Sequence, residues 1–162
     1  MEELLEQIKP AHYIDRNLLA NTLGTDRIRM QRFIDNYPLD AAVTMGVETN
    51  RVRYGYNYQD VHEWLKQRAE TSPRVWAKYL ERFEQDRALK AWVESGAPTR
   101  RAEGEPVVYY TRPALASLLD IPVWKVEALD QASPIPTSVL IGAKSRGFTA
   151  DIAGQWYMSV TA

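Results

Sequence analysis

Tyr13-Ile14-Asp15-Arg16-Asn17-Leu18-Leu19-Ala20-Asn21-Thr22-Leu23-Gly24 decides the fold, because it returns later as Tyr109-Tyr110-Thr111-Arg112-Pro113-Ala114-Leu115-Ala116-Ser117-Leu118-Leu119-Asp120. The two stretches align without a gap, with Tyr, Arg, Leu and Ala in register at a constant offset of 96. Asp15 suits the N-cap of a helix carrying Leu18, Leu19, Thr22 and Leu23. Gly24 ends it, as a residue able to take positive φ. Asp26 suits the cap of a second helix, whose Met30, Phe33, Ile34 and Tyr37 fall at i, i+3, i+4 and i+7 and define one buried face. Pro38 stops that helix. Two β-prone segments, 41–47 and 52–58, then flank a polar turn at Glu48-Thr49-Asn50-Arg51. A helix through Asp60, Val61, Trp64 and Leu65 closes the unit. The second copy repeats the order with Pro134, a glycine-containing loop, Phe148 and Trp156. A period this long does not suit a solenoid; it suits two small modules in tandem.

Between the copies, Ser72-Pro73 reads as N-cap and N1 of a helix running to about Glu94. Its apolar stripe (Val75, Trp76, Tyr79, Leu80, Phe83, Leu89, Trp92, Val93) loses register near 85–87, which predicts a bend or two short helices. Residues 97–106, with two prolines and a glycine among charges, read as an exposed linker. Thr99-Arg100-Arg101 is a small basic cluster on it. Residues 2–8 suit a short helix ending before Pro10. The expected organisation is an N-terminal arm (1–11), module one (12–66), a helical connector with linker (67–106) and module two (107–162). The expected class is mainly α with small β-hairpins, α+β.

The chain has 162 residues, 45% hydrophobic and 25% charged, and no cysteine. That composition belongs to a globular protein, excludes disulfides and thiolate metal sites, and fits a reducing compartment. Modules of roughly 55 residues lie near the lower limit for a self-sufficient core, so they should pack on each other or on the connector. No run approaches the roughly 20 apolar residues of a membrane span. The start, Met1-Glu2-Glu3-Leu4-Leu5, lacks the character of a signal peptide. A cytoplasmic protein without membrane contact is expected. Net charge is −1, distributed as −2 over residues 1–11, −1 over 12–65, +2 over 66–107 and 0 over 108–162. Any basic surface must therefore be local. No nucleophile elbow, zincin helix, paired-carboxylate spacing or phosphate-cradling loop is present, so neither an enzyme nor a cofactor or metal is expected. His12 and His62 suit surface or cap roles. Trp64, Trp76, Trp92 and Trp156 suit core positions.

The ordered set of Tyr13, Asp15, Ala20, Leu23-Gly24, the Arg27–Arg32 helix, Pro38, a hairpin over 47–54 and Asp60-Val61-His62-Glu63-Trp64-Leu65 resembles the excisionase-like branch of the MerR-type winged helix-turn-helix superfamily. The resemblance covers about 53 residues of module one and, more weakly, about 50 of module two. It implies tandem winged helix-turn-helix modules and a double-stranded DNA-binding protein: a regulator of a phage or mobile element, a recombination directionality factor, or the DNA-recognition part of packaging machinery. The residues agree. Turning Met30 and Phe33 inward sends Arg27, Arg29, Gln31 and Arg32 to solvent, where Arg can read guanine edges and Gln adenine edges. Arg51 and Arg53 flank the hairpin tip, suited to phosphate or minor-groove contact.

Module two departs from this pattern. Asp120 stands at the turn glycine and Pro122 at the cap, and the outward helix positions become Trp124, Lys125, Glu127 and Ala128. Two readings stay open there. Lys125, Lys144 and Arg146 could bind phosphate; or an exposed Trp124 could face a protein partner such as a recombinase or terminase, or a second copy of the chain. The alternative for the whole chain is a protein-interaction module on the same fold, acting as a phage-encoded inhibitor or assembly adaptor.

Overall fold

The computed structural model describes residues 9–46 and 51–162. The expected helix over 2–8 and the hairpin tip at 47–50 lie outside the described residues. Among those described, eight helices and two three-stranded sheets form a mixed α/β structure. Module one contributes β1 (Ala11–Tyr13), α1 (Arg16–Leu23), α2 (Arg27–Asn36), β2 (Val43–Met45), β3 (Arg53–Gly55) and α3 (Tyr58–Thr71). The connector forms α4 (Pro73–Gln85) and α5 (Arg87–Glu94). Module two contributes β4 (Val107–Tyr109), α6 (Arg112–Leu119), α7 (Val123–Ala132), β5 (Val139–Ile141), β6 (Ser145–Gly147) and α8 (Ala150–Thr161).

Local chemistry sets the helix ends. The Asp15 carboxylate accepts from the Leu18 backbone amide at 2.7 Å, and Asp26 accepts from the Arg29 backbone amide at the same distance. Gly24 closes α1 in the left-handed conformation, φ 74°. Asp120 adopts that conformation at the equivalent turn of module two, φ 56°. Asn57 and Thr149 cap α3 and α8. Each closing helix is pinned by its tryptophan: Trp64 Nε1 donates to the Tyr37 carbonyl at 2.9 Å, and Trp156 Nε1 to that of Ser133 at 2.7 Å. Ser72 begins α4 without the expected side-chain cap bond. The predicted break in the connector falls at Asp86, whose carboxylate caps α5 through the Leu89 amide.

The sheets are built by exchange. β1 of module one pairs in parallel with β5 of module two, Ala11 opposite Val139 and Tyr13 opposite Ile141. β4 of module two pairs in parallel with β2 of module one, Val43 opposite Val107 and Met45 opposite Tyr109. Each pairing maps onto the other at the offset of 96 that relates the sequences, so the molecule has an internal two-fold pseudosymmetry. Among the described residues each N-terminal strand meets its own hairpin at a single bridge, Ile14 with Tyr56 and Tyr110 with Phe148. Two-stranded hairpins of three-residue strands are marginal alone; the third strand comes from the other module. Tyr13, Ala42, Val43, Met45, Val139 and Ile141 form a buried cluster at the exchange.

The connector belongs to module one. Trp76, Phe83 and Leu89 join Ile14, Leu19, Leu23, Met30, Val61 and Trp64 in one core, whereas module two has a smaller core around Leu115, Val126, Phe148 and Trp156. Arg82 of α4 donates to the Leu23 carbonyl at 2.8 Å, capping α1 from outside. The expected linker is largely exposed, and it is also tied down. The Ala97 amide donates to the Pro10 carbonyl, Asn57 Nδ2 to the Thr99 hydroxyl, and the Arg100 amide to the Tyr13 hydroxyl. Arg101, exposed at the surface, is held by Asp60 at 2.9 Å and Glu63 at 2.6 Å. His12, expected in a surface or cap role, is buried rather than at the surface and meets the end of α5: its ring stacks on Trp92 at 4.5 Å, and Nδ1–H donates to the last-turn carbonyl of Trp92.

Candidate nucleic-acid interface

The outward face of α2 follows from its inward one. Met30 is fully buried, and Phe33 and Ile34 pack beside it, Phe33 against Trp76 and Tyr79. At about 3.6 residues per turn, Ile28 and Arg32 then stand opposite Met30, with Gln31 on one flank and Arg29 on the other. Arg27, Ile28, Arg29 and Arg32 are exposed and Gln31 is half-buried. Among the described residues none of these arginines pairs with a carboxylate. Gln31 Nε2 donates to Asp35 at 2.8 Å, which fixes its amide along the helix.

β3 folds back beside this face, and the two enclose an open cleft of about 840 Å³. Arg27, Ile28, Gln31 and Arg32 line one wall, Arg51, Arg53 and Tyr54 the other, and Arg16 with its neighbours at the start of α1 the floor. Among the described residues five arginines and one carboxylate line the cleft, that of Asp15, whose Oδ1 already holds the Leu18 amide. A chain of net charge −1 thus concentrates cations in a concave site, where low-dielectric walls focus the field. Arg53 also donates to the Ser145 hydroxyl of β6, fixing the module-one hairpin to module two. Of the sequence-predicted residues, the cleft gathers Arg27, Gln31, Arg32, Arg51 and Arg53; Arg29 sits on the opposite flank of α2.

Arg16 was not anticipated. It recurs as Arg112 in the aligned block, and a shared residue reads as structural. In module two it is so: Arg112 lies 3.4 Å from the buried carboxylate of Asp130, and Arg146 lies 3.6 Å from the same oxygen. Module one has Ile34 where module two has Asp130, and Tyr54 where it has Arg146. Without a carboxylate to meet, the Arg16 guanidinium lies over the Tyr54 ring at 5.7 Å and lines the cleft. Comparing the two copies position by position at residue 34 carries the signal that finds it.

The module-two cations do not assemble likewise. Arg146 Nε donates to the Thr137 hydroxyl at 2.8 Å and Nη2 to the Ile135 carbonyl at 3.0 Å, and its guanidinium covers the Phe148 ring. These internal bonds oppose the phosphate-binding role expected of Arg146. Lys144 is exposed in the β5–β6 turn and Lys125 is half-buried on α7. Trp124, at the position of Ile28, is 69% exposed. Among the described residues no group of three or more His, Asp or Glu side chains is placed to hold a metal ion, and no helix is long and apolar enough to cross a membrane.

Comparison with family models, with characterised proteins and with solved structures finds no match to this chain.

Proposed function

We propose that the chain binds double-stranded DNA through module one, as a winged helix-turn-helix protein of the excisionase-like kind. α2 is the recognition helix, entering the major groove by its first turns, and the β2–β3 hairpin is the wing that grips the backbone. The observation that carries this reading is the five-arginine cleft between those two elements, with the α2 arginines making no carboxylate pair among the described residues. Arg16, Arg51 and Arg53 hold phosphates, while Arg27, Gln31 and Arg32 approach base edges. The biological role is that of a mobile-element regulator or recombination directionality factor in the cytoplasm. No catalytic step and no cofactor is assigned.

Neutralising about five phosphates gives a slope of log affinity on log salt near −4 to −5. Fluorescence anisotropy against random-sequence and selected duplexes measures it. Replacing Arg32 by alanine should weaken binding to a selected duplex by about 1–3 kcal/mol. Binding that ignores salt, or none at all, removes the proposal.

A second reading belongs to module two. There Val123, Trp124, Lys125, Glu127 and Ala128 stand where module one has Arg27, Ile28, Arg29, Gln31 and Arg32. An exposed tryptophan in place of a cationic face suits a protein partner, such as a recombinase or terminase, better than a phosphate backbone.

A further inference from the structure

Ile28 is 68% exposed. Single exposed aliphatic residues are ordinary, so the exposure alone carries nothing; its place does. It stands at the centre of the outward face of α2, one turn before Arg32, and shares the cleft with Arg27 and Gln31. It lies in the first turn, the part of a groove-docked helix that meets base edges. Its neighbours are donors suited to guanine and adenine. The remaining chemically distinct feature of the major groove is apolar, the 5-methyl group of thymine. A branched aliphatic side chain projecting between guanidinium groups has no hydrogen-bonding use there, but it gives a methyl group a dry surface against which to pack.

We propose that Ile28 is a specificity residue that reads the 5-methyl group of a thymine in the major groove, beside the base contacted by Arg32. This inference rests on the DNA-binding reading above and adds a base identity to it. Burying one methyl group against Ile28 corresponds to about a fourfold change in affinity.

The test uses the full chain and a duplex recovered by selection from a random pool. Each thymine is replaced in turn by deoxyuridine, which removes the methyl group and leaves every hydrogen-bonding edge intact. The same series is measured with Ile28→Ala, a substitution on an exposed helix face that favours helix formation. The wild type should lose about fourfold at one or two positions. Ile28→Ala should bind more weakly and no longer distinguish thymine from uracil there. Salt-dependent binding with every thymine equally replaceable overturns the inference and leaves the DNA-binding reading standing. So does a thymine preference that survives in Ile28→Ala. If neither protein binds any duplex in a salt-dependent way, both readings fall together.

Discussion

Arg16 and Arg112 occupy equivalent places, yet only Arg112 meets a carboxylate. Asp130 is buried, accepts from Arg112 and from the Ile135 amide at 2.8 Å, and has the Arg146 guanidinium beside it at 3.6 Å. Removing the cations would leave the buried Asp130 carboxylate uncompensated, so both arginines, though partly exposed, are engaged in module two. With Ile34 in place of that carboxylate, module one has a cation available for an external anion. Residue identity at one position thus decides whether an arginine is structural or exposed to a ligand. Tyr56 shows a second residue-scale effect. Burial in the module-one core pushes its phenol up to about 12 from an ordinary value of 10.0. The folded state keeps this proton where the unfolded chain releases it, so its contribution is full below pH 10 and fades as pH rises toward 12. Denaturant unfolding at pH 8 and pH 11 should show stability falling with alkalinity, and Tyr56→Phe should remove part of that fall, on the order of 1–2 kcal/mol. An unchanged pH dependence in the variant would contradict the assignment.

At the scale of elements, the helices were legible and the sheets were not. Asp15, Asp26 and Gly24 act through bonds to residues three or four away, so their roles are visible in the sequence around them. The outward arginines of α2 follow from one apolar stripe in the same way. The β-segments were legible as strands, but their partners were not. Three residues fix no register by themselves, and two copies of one architecture offer each N-terminal strand two similar hairpins. Pairing is settled by side chains distant in sequence, at crossings where the backbones come close. A Cβ on Gly55 would lie 2.5 Å from Val43 Cγ2 and 2.9 Å from Tyr13 Cβ; at Gly147, 92 residues on, it would lie 2.6 Å from Val139 Cγ1 and 3.0 Å from Tyr109 Cβ. Glycine is required at both crossings because no side chain fits between the strands. Gly55→Ala should cost about 1–3 kcal/mol by overpacking, read as a lowered midpoint in denaturant. A variant as stable as the parent would mean that the strands do not cross so tightly. The tethered 97–106 segment escaped the sequence for a similar reason: its prolines and charges describe a linker, while the Asp60 and Glu63 that hold Arg101 lie some forty residues away.

At the scale of the whole molecule, the two modules are related as the subunits of an isologous dimer are, with the connector closing the chain between them. A fragment ending after α5 would retain the core of module one but lose both exchanged partners, β4 and β5. It would leave β1 and β2 with unpaired edges and uncover Tyr13, Val43 and Met45. Two copies of the fragment can restore each missing strand by pairing β1 of one with β2 of the other, at the register Ala11 keeps with Val139. The fragment should therefore sediment as a dimer at micromolar concentration, with a midpoint of unfolding that rises with concentration. A stable monomer would show that the exchange is dispensable.

The pseudosymmetry has a further consequence for what such a protein could recognise. A true homodimer presents the same surface twice and is confined to inverted-repeat sites, since any change in one surface appears in both. Here the two copies are encoded separately within a single chain, and they have diverged at the positions of Arg27, Gln31 and Arg32, which become Val123, Glu127 and Ala128. On the proposed reading, this polypeptide would lie along DNA with a defined direction. It would mark a non-palindromic sequence and hold whatever meets Trp124 consistently to one side of it.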